Sequence, residues 1–142
     1  MKTNGNEIMN YMKRIIEKEH QLIVKMSEGA LNLNEIVLVV CLYGLLGDKQ
    51  NTTSQLAKNL SMSPSAISNI VKKLEKKGYI KRVHDTIDRR KVYVFPQGKS
   101  DLVNKIYNKY YCDLDLCLQS TFSAEELDVF TNIMKSIESL IK

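Results

Sequence analysis

Small polar side chains able to contact bases follow the dipeptide Ser63-Pro64. They are Ser65, Ala66, Ser68, Asn69 and Lys72. Asparagine can pair bidentately with adenine and lysine can reach guanine acceptors, whereas serine is permissive and alanine touches only a thymine methyl group. Such residues near the start of a helix are typical of a helix that enters the major groove of duplex DNA. Asn69 is the main candidate for a sequence-specific contact.

Positive charge is concentrated around this cluster. Residues 51–100 contain eleven basic and three acidic residues, whereas residues 1–50 contain six of each and residues 101–142 contain four basic and seven acidic residues. A local excess of this kind predicts a surface that binds a polyanion. Four lysines on the same predicted helix are expected to touch phosphates or remain solvated, and so to supply affinity rather than sequence information: Lys72, Lys73, Lys76 and Lys77.

A second basic group lies further along the chain. Arg89 and Arg90 have the length and charge to enter a minor groove or to grip its edges. The neighbouring Asp88 would be unfavourable against phosphate. We therefore expect Asp88 to form an ion pair that orients one of the arginines and stabilises this part of the chain.

The elements that must position these residues are a helix and a β-hairpin. Ser63 can cap the helix and Pro64 suits its first position, while apolar residues from Ile67 to Leu74 recur at helical spacing. Gly78 is expected to end the helix. Residues 79–83 and 91–95 then predict two strands, and residues 84–90 form the charged tip between them.

Five further helices are predicted from apolar periodicity and capping patterns. The first covers Asn6 to Met26, the second runs from near Leu33 to near Gly47, and the third is short, capped by Thr52 and extending through Leu60. The long fifth helix follows Gly98 and ends near Ser120, and the last is capped by Ser123. The apolar faces of the first, fifth and last helices find few partners in so short a chain.

Composition excludes several classes of protein. A chain of 142 residues with 44% hydrophobic and 26% charged residues is expected to form one globular domain. Its longest charge-free apolar run is too short to cross a bilayer, and its first 20 residues lack the apolar core of a secretory signal, so a cytoplasmic location is expected. The sequence contains no phosphate loop, nucleophile motif or zinc-ligand spacing, so we expect no enzyme activity, metal or cofactor.

The chain resembles the MarR family of transcriptional regulators over essentially its whole length. The family's pattern Asp-x-Arg-x-x-x-Val stands at Asp88–Val94, and Leu74–Ile80 is similar to the family's exit from the recognition helix. Leu56-Ala57 and Ser63-Pro64-Ser65 also match. The chain departs from the family at residues 96–100, where relatives continue with Leu-Thr-x-x-Gly, and at Asn69, where many relatives have arginine.

The resemblance implies a mostly α-helical fold of about six helices with a small β-hairpin wing. We expect a single domain over residues 1–142, with a winged helix-turn-helix at 33–96 and a helical dimerisation part at 6–28 and 100–141. The predicted DNA-binding residues are Thr53, Ser63, Ser65, Ala66, Ser68, Asn69, Lys72, Lys73, Arg89 and Arg90. The expected function is that of a homodimeric, sequence-specific regulator of duplex DNA, with a repressor as the default. Its operator would be pseudo-palindromic, with half-sites about 34 Å apart.

The resemblance also implies a small aromatic or amphipathic effector that releases the repressor from DNA. Candidate contacts are a histidine on the apolar face of the first helix and tyrosines on the second and fifth helices: His20, Tyr43, Tyr107, Tyr110 and Tyr111. The preferred interpretation of His20 is a core or interface histidine, because histidine is often partly buried for structural reasons.

Two other functions remain open at the level of sequence. The first is redox sensing through Cys41, Cys112 or Cys117, which would require an exposed thiol in an electropositive environment. The second is a winged-helix protein-interaction module that does not bind DNA, since a fold does not fix a function. The basic middle of the chain favours DNA binding over such a module.

Overall fold

The computed structural model describes residues 5–45 and 51–141. Within them lie six α-helices and one two-stranded sheet, as the sequence predicts. The elements are α1 (Gly5–Lys25), α2 (Leu33–Leu45), α3 (Thr53–Asn59), α4 (Pro64–Lys76), β1 (Ile80–His84), β2 (Val92–Pro96), α5 (Ser100–Thr121) and α6 (Ala124–Leu140). The predicted end of the second helix near Gly47 lies outside the described residues. No helix in the described part of the chain is long and apolar enough to span a membrane.

The chain divides into two compact units, Met1–Tyr107 and Asn108–Lys142, and the division falls inside α5. In the described part of the first unit, the core forms around α2, whose Ile36, Leu38 and Leu42 are inaccessible to solvent. This burial explains why α2 is apolar on almost every side. Further fully buried side chains come from α3, α4 and the two strands: Leu56, Ile67, Leu74, Ile80 and Val94.

Helix α4 begins and ends as its sequence predicts. The Ser63 hydroxyl accepts a hydrogen bond from the backbone N–H of Ala66 at 3.2 Å, and Pro64 occupies the first helical turn. This cap satisfies one of the backbone donors that the first turn leaves without a helical partner. Ile67, Val71 and Leu74 are buried, so the opposite face of α4 is directed away from the core.

The hairpin is joined to the helical part of the first unit by Asn51. Strands β1 and β2 are antiparallel, with Ile80 paired to Pro96 and His84 paired to Val92. The buried Asn51 adds to this ladder, because its carbonyl accepts from the N–H of Val94 at 2.9 Å and its side-chain amide donates to the Val94 carbonyl at 2.9 Å. These bonds fix β2 against the segment that leads into α3.

A close contact between two glycines joins the end of α4 to the start of α5. Gly78 and Gly98 have φ angles of +85° and +59°, values that L side chains rarely adopt. A Cβ atom on Gly98 would lie 2.6 Å from the carbonyl oxygen of Gly78. Glycine at 98 therefore meets two requirements at once, a left-handed backbone and a close backbone approach. Helix α5 begins at Ser100, the last of the residues that depart from the family pattern.

Candidate nucleic-acid interface

The solvent-facing side of α4 presents most of the predicted base-reading residues. Ser65, Asn69 and Lys72 are exposed, and Ala66 and Ser68 are half-buried. Their placement follows from the helical period, since the core-facing residues of α4 occupy the other side. Lys73 is also exposed. This side of α4 is called the α4 polar face below.

Ser63 has a local structural task as well as an exposed position. Its hydroxyl caps α4 and lies 3.3 Å from the hydroxyl of Ser65. The Ser63 hydroxyl therefore satisfies a backbone donor in the first turn of α4. Its predicted contact with DNA stays a prediction.

A shallow crevice brings α3, α4 and the hairpin together. Thr53, Ser68 and Arg82 are among the residues that line it, and its volume is about 120 Å³. The first two were predicted to face DNA, but Arg82 was not. The signal for Arg82 was present in the sequence as a cation on the strand that follows α4, yet strand residues alternate in direction and the sequence does not say which cation turns towards the helix.

Arg82 is held in this position by Glu75 of α4. The guanidinium Nε and Nη2 atoms lie 3.1 and 2.8 Å from Glu75 Oε1, and the backbone N–H of Arg82 donates to Oε2 at 3.1 Å. The side-chain hydrogen bond from Arg82 is the largest influence on the carboxyl group and lowers the pKa of Glu75. These three bonds connect α4 directly to β1 and so set the position of the hairpin beside the α4 polar face.

The tip of the hairpin is organised by Asp88. Its Oδ1 atom accepts hydrogen bonds from both the backbone N–H and the Nε of Arg90, each at 3.1 Å. These bonds lower the pKa of Asp88, with the side chain of Arg90 as the largest cause. An ion pair between Asp88 and a neighbouring arginine was expected from the sequence, and Arg90 is that partner. Arg89 and Arg90 are both exposed, and the Arg90 side chain is 92% accessible.

Lys77 does not belong with the other lysines of α4. Its ammonium group lies 2.9 Å from both carboxylate oxygens of Glu35 and donates to the Ala30 carbonyl at 2.9 Å. The expectation that Lys77 is a phosphate contact or a solvated charge is therefore wrong. This pair could not be predicted from the sequence, because its members are 42 positions apart along the chain.

A family model for the MarR family matches residues 31–92, which include α2, α3, α4 and most of the hairpin. This part of the chain is therefore similar to the MarR family. A curated relative, the uncharacterized HTH-type transcriptional regulator YcgE of Bacillus subtilis (strain 168), is 29% identical over 90 residues. The alignment covers 61% of this chain and 57% of that protein, so it spans little more than half of the relative's length.

Solved structures similar to this chain share its fold over nearly the whole length. The Streptococcus pneumoniae FabT structure in complex with DNA has a TM-score of 0.77 at 22% identity and covers 95% of this chain and 98% of its own. The S. aureus MepR–DNA complex has a TM-score of 0.74 at 21% identity and covers 93% and 97%. At this identity the likeness confirms the winged-helix fold with its six helices.

The predicted effector residues lie in different surroundings. Tyr43 and Tyr107 pack against the core of the first unit, and the Tyr43 hydroxyl lies 3.0 Å from that of the buried Ser100. Tyr111 belongs to the second unit, where its ring meets that of Tyr110 edge-on at 5.0 Å. Their role towards an effector stays a prediction.

His20 is exposed, so the interpretation of His20 as a core histidine is wrong. The reason is that α1 reaches the core only near its C-terminal end. Ile23 is buried there, whereas Ile16, one turn before His20, is 48% exposed. A position at an interface with a second chain remains a prediction for His20.

Proposed function

We propose that this chain is a transcriptional regulator that binds duplex DNA as a homodimer and acts as a repressor whose hold on DNA a small molecule weakens. The observation that carries the proposal is the placement of two exposed, basic elements side by side. Glu75 and Arg82 join α4 to β1, so the α4 polar face and the arginine-bearing hairpin tip belong to one folded unit. This combination matches a recognition helix with a flanking wing.

We expect the first turns of α4 to recognise the DNA sequence. A helix fits the major groove, which is about 12 Å wide, and its N-terminal residues meet the base edges. Asn69 is exposed on this part of α4 and has the donor and acceptor needed to pair with adenine. Ser65 and Ser68 accompany it with shorter side chains that accept several bases.

We expect the cations around the α4 polar face to supply the affinity for DNA. Lys72 and Lys73 are exposed on α4, and Arg89 and Arg90 are exposed at the hairpin tip. Each contact between such a cation and a phosphate releases condensed counterions, so binding is expected to weaken steeply as salt rises. These contacts place the protein on the duplex without selecting a sequence.

The homodimer is proposed from exposed apolar side chains in both units. In α1 of the first unit, Ile8 and Ile15 are 48% and 61% accessible. In the second unit, Leu116, Phe130 and Ile133 are 64%, 60% and 51% accessible. Soluble monomers rarely expose apolar surface on this scale, and a second copy of the chain would cover it. A two-fold dimer presents two recognition helices, which calls for a pseudo-palindromic operator.

The effector is proposed to bind in a cleft of the first unit. Its lining includes the apolar side chains of Met26, Leu102 and Ile106 and the charged side chains of Glu28 and Lys99, and its volume is about 400 Å³. Such a cleft suits an amphipathic molecule with an apolar body and an anionic group. Tyr79, the residue after the Gly78 turn that ends α4, also lines the cleft. Occupation of the cleft would therefore act close to the recognition helix.

Selection from a library of random duplex DNA at two salt concentrations tests the proposal. We expect enrichment of a pseudo-palindromic motif, with affinity that falls steeply as salt rises. A variant with Lys72→Ala, Lys73→Ala and Arg90→Ala should lose binding, whereas a variant with Lys18→Ala and Lys25→Ala on α1 should keep it. Unchanged binding by the triple variant would refute DNA binding through this face. An absence of enrichment at either salt concentration would do the same.

Two further measurements test the dimer and the effector. Phe130→Glu should convert the dimer to a monomer in sedimentation velocity, and a monomeric wild-type chain would contradict the dimer. Phenylalkanoates of increasing chain length should release the selected duplex from the wild type. Lys99→Glu should abolish that release, because it removes the cation at the rim of the cleft. Equal release from both proteins would place the effector elsewhere.

A further inference from the structure

The tip of the hairpin carries an apolar side chain that the rest of the chain leaves uncovered. Ile87 is 94% accessible, the largest value among the big apolar side chains in the described residues. It lies in the short connection between β1 and β2, in the same turn as Arg89 and Arg90. An isoleucine in so polar a turn gains nothing from water and makes almost no packing contact within its own chain.

Backbone and carboxylate hydrogen bonds hold this turn in a defined shape. The N–H of Asp85 donates to the Lys91 carbonyl at 3.0 Å, and the N–H of Lys91 donates to the Asp88 carbonyl at 3.0 Å. Asp85 accepts a longer bond from the N–H of Asp88, at 3.4 Å, and Asp88 accepts the two bonds from Arg90. Both carboxylates are therefore engaged in the turn itself, which presents Ile87 at a fixed place beside the arginines.

We infer that Ile87 contacts the minor groove of duplex DNA and makes the wing prefer A·T pairs beside the site read by α4. This inference rests on the proposed function, because it needs the wing to lie on DNA. The neighbours of Ile87 indicate that its partner is a groove of DNA. The cations Arg89, Arg90 and Lys91 would be drawn to the phosphates on either side of a groove, and the apolar side chain between Asp85 and Asp88 would face the sugars and base edges.

The preference for A·T pairs follows from the floor of the minor groove. A G·C pair places the guanine amino group there, whereas an A·T pair presents only acceptors. The amino group occupies space that an isoleucine would fill, and its hydration is lost when an apolar group covers it. Isoleucine is suited to this place because its β-branched side chain is stiff and loses little freedom on binding.

The test uses the duplex that the wild-type protein selects from a random library. Three versions carry A·T, G·C or inosine·C pairs at the positions flanking the two recognition half-sites. Inosine lacks the guanine 2-amino group, so an inosine·C pair resembles G·C in the major groove and A·T in the minor groove. Wild-type protein should bind the A·T and inosine·C versions about tenfold more tightly than the G·C version, the size expected for partial burial of an isoleucine side chain.

The Ile87→Ala variant should bind all three versions within about twofold of one another, with the dependence of affinity on salt unchanged, because no phosphate contact is lost. Thr86→Ala, at the same tip, should keep the wild-type ratio. A full A·T preference in Ile87→Ala, no preference in the wild type, or a reduced salt dependence in Ile87→Ala would each overturn the inference. Absence of wild-type binding to any duplex would instead refute the proposed function, and the inference with it.

Discussion

Lys77 at the C-terminal end of α4 forms an ion pair with both carboxylate oxygens of Glu35 in the first turn of α2. The ammonium nitrogen lies 2.9 Å from each carboxylate oxygen, and the Glu35 side chain is 2% exposed. Glu35 also accepts a bond from the backbone N–H of Asn32 at 3.2 Å, and Asn32 Oδ1 accepts from the Glu35 N–H at 2.9 Å. One buried carboxylate thus caps α2 and holds the C-terminal end of α4.

Removal of this ammonium group is expected to destabilise the fold. Lys77→Ala leaves the Glu35 carboxylate buried without its cation, and breaking a buried pair costs about 3–5 kcal/mol. The Lys77 side chain is 38% exposed, so water compensates in part and we expect a loss of about 1–3 kcal/mol in the free energy of unfolding. Chemical denaturation of the wild type and of Lys77→Ala measures this loss in the free energy of unfolding. Lys76→Ala, an exposed neighbour, should change stability by less than about 0.5 kcal/mol.

Addition of Glu35→Gln to Lys77→Ala should recover part of the lost stability, because the double variant no longer buries an unpaired charge. If the stability losses from the two substitutions are strictly additive, Lys77 acts through packing of its aliphatic stem and not through the ion pair.

Features set by neighbouring residues could be predicted from the sequence, whereas contacts between distant residues could not. The start of α4 could be predicted because Ser63, Pro64 and the apolar spacing all act within a few residues of one another. The pairing of Lys77 with Glu35 could not, because it joins residues 42 positions apart and depends on how α2 and α4 pack. For the same reason the sequence placed His20 on an apolar face but could not show that the first unit leaves that face uncovered.

Two substitutions in the proposed interface are expected to act differently on DNA binding. Arg90→Ala should weaken binding to all duplexes and lower the salt dependence, because it removes a phosphate or groove contact. Asn69→Ala should cost about 1–3 kcal/mol on the preferred duplex and little on random DNA, because it removes a base contact. Binding isotherms on both kinds of duplex at several salt concentrations give the comparison. Equal effects of the two variants on both duplexes would contradict the assignment of roles.

The ion pair between Glu75 and Arg82 predicts a pH-dependent contribution to stability. The folded-state pKa of Glu75 lies below its ordinary value of 4.5, chiefly because of the side-chain hydrogen bond from Arg82. A carboxyl group with a lowered pKa stabilises the fold above its unfolded pKa, and that contribution is lost as pH falls through the folded value. Glu75→Gln should therefore lower Tm by about 2 °C near pH 7 and by less near pH 3.

Thermal unfolding of the wild type and Glu75→Gln across this range supplies the measurement. Lys58→Gln, a change of charge on the exposed side of α3, serves as the control and should show no such pH-dependent difference. A difference in Tm that stays constant from neutral to acid pH would mean that Glu75 stabilises the hairpin without its charge.

Substitution of Gly98 by alanine tests the close approach of Gly98 to the Gly78 carbonyl group. The added Cβ would lie 2.6 Å from the Gly78 carbonyl oxygen, and the φ angle of +59° would be strained. We expect a loss of about 2–4 kcal/mol in the free energy of unfolding. Gly29→Ala is the matched control, because its φ is +79° with open space around the Cβ position, and it should cost only about 1 kcal/mol. Equal losses would show that strain alone accounts for both.

The three cysteines are expected to react with iodoacetamide in an order set by their surroundings. Burial raises the pKa of the Cys41 thiol, and Cys112 and Cys117 are exposed. Because the thiolate is the reacting form, Cys112 and Cys117 should be alkylated several-fold faster than Cys41 near pH 8, as measured by mass spectrometry of proteolytic peptides. Both exposed cysteines lie in α5, five positions apart and so about 140° around the helix, where they cannot bridge one another. Fastest modification at Cys41 would contradict this order and would favour the redox-sensing alternative.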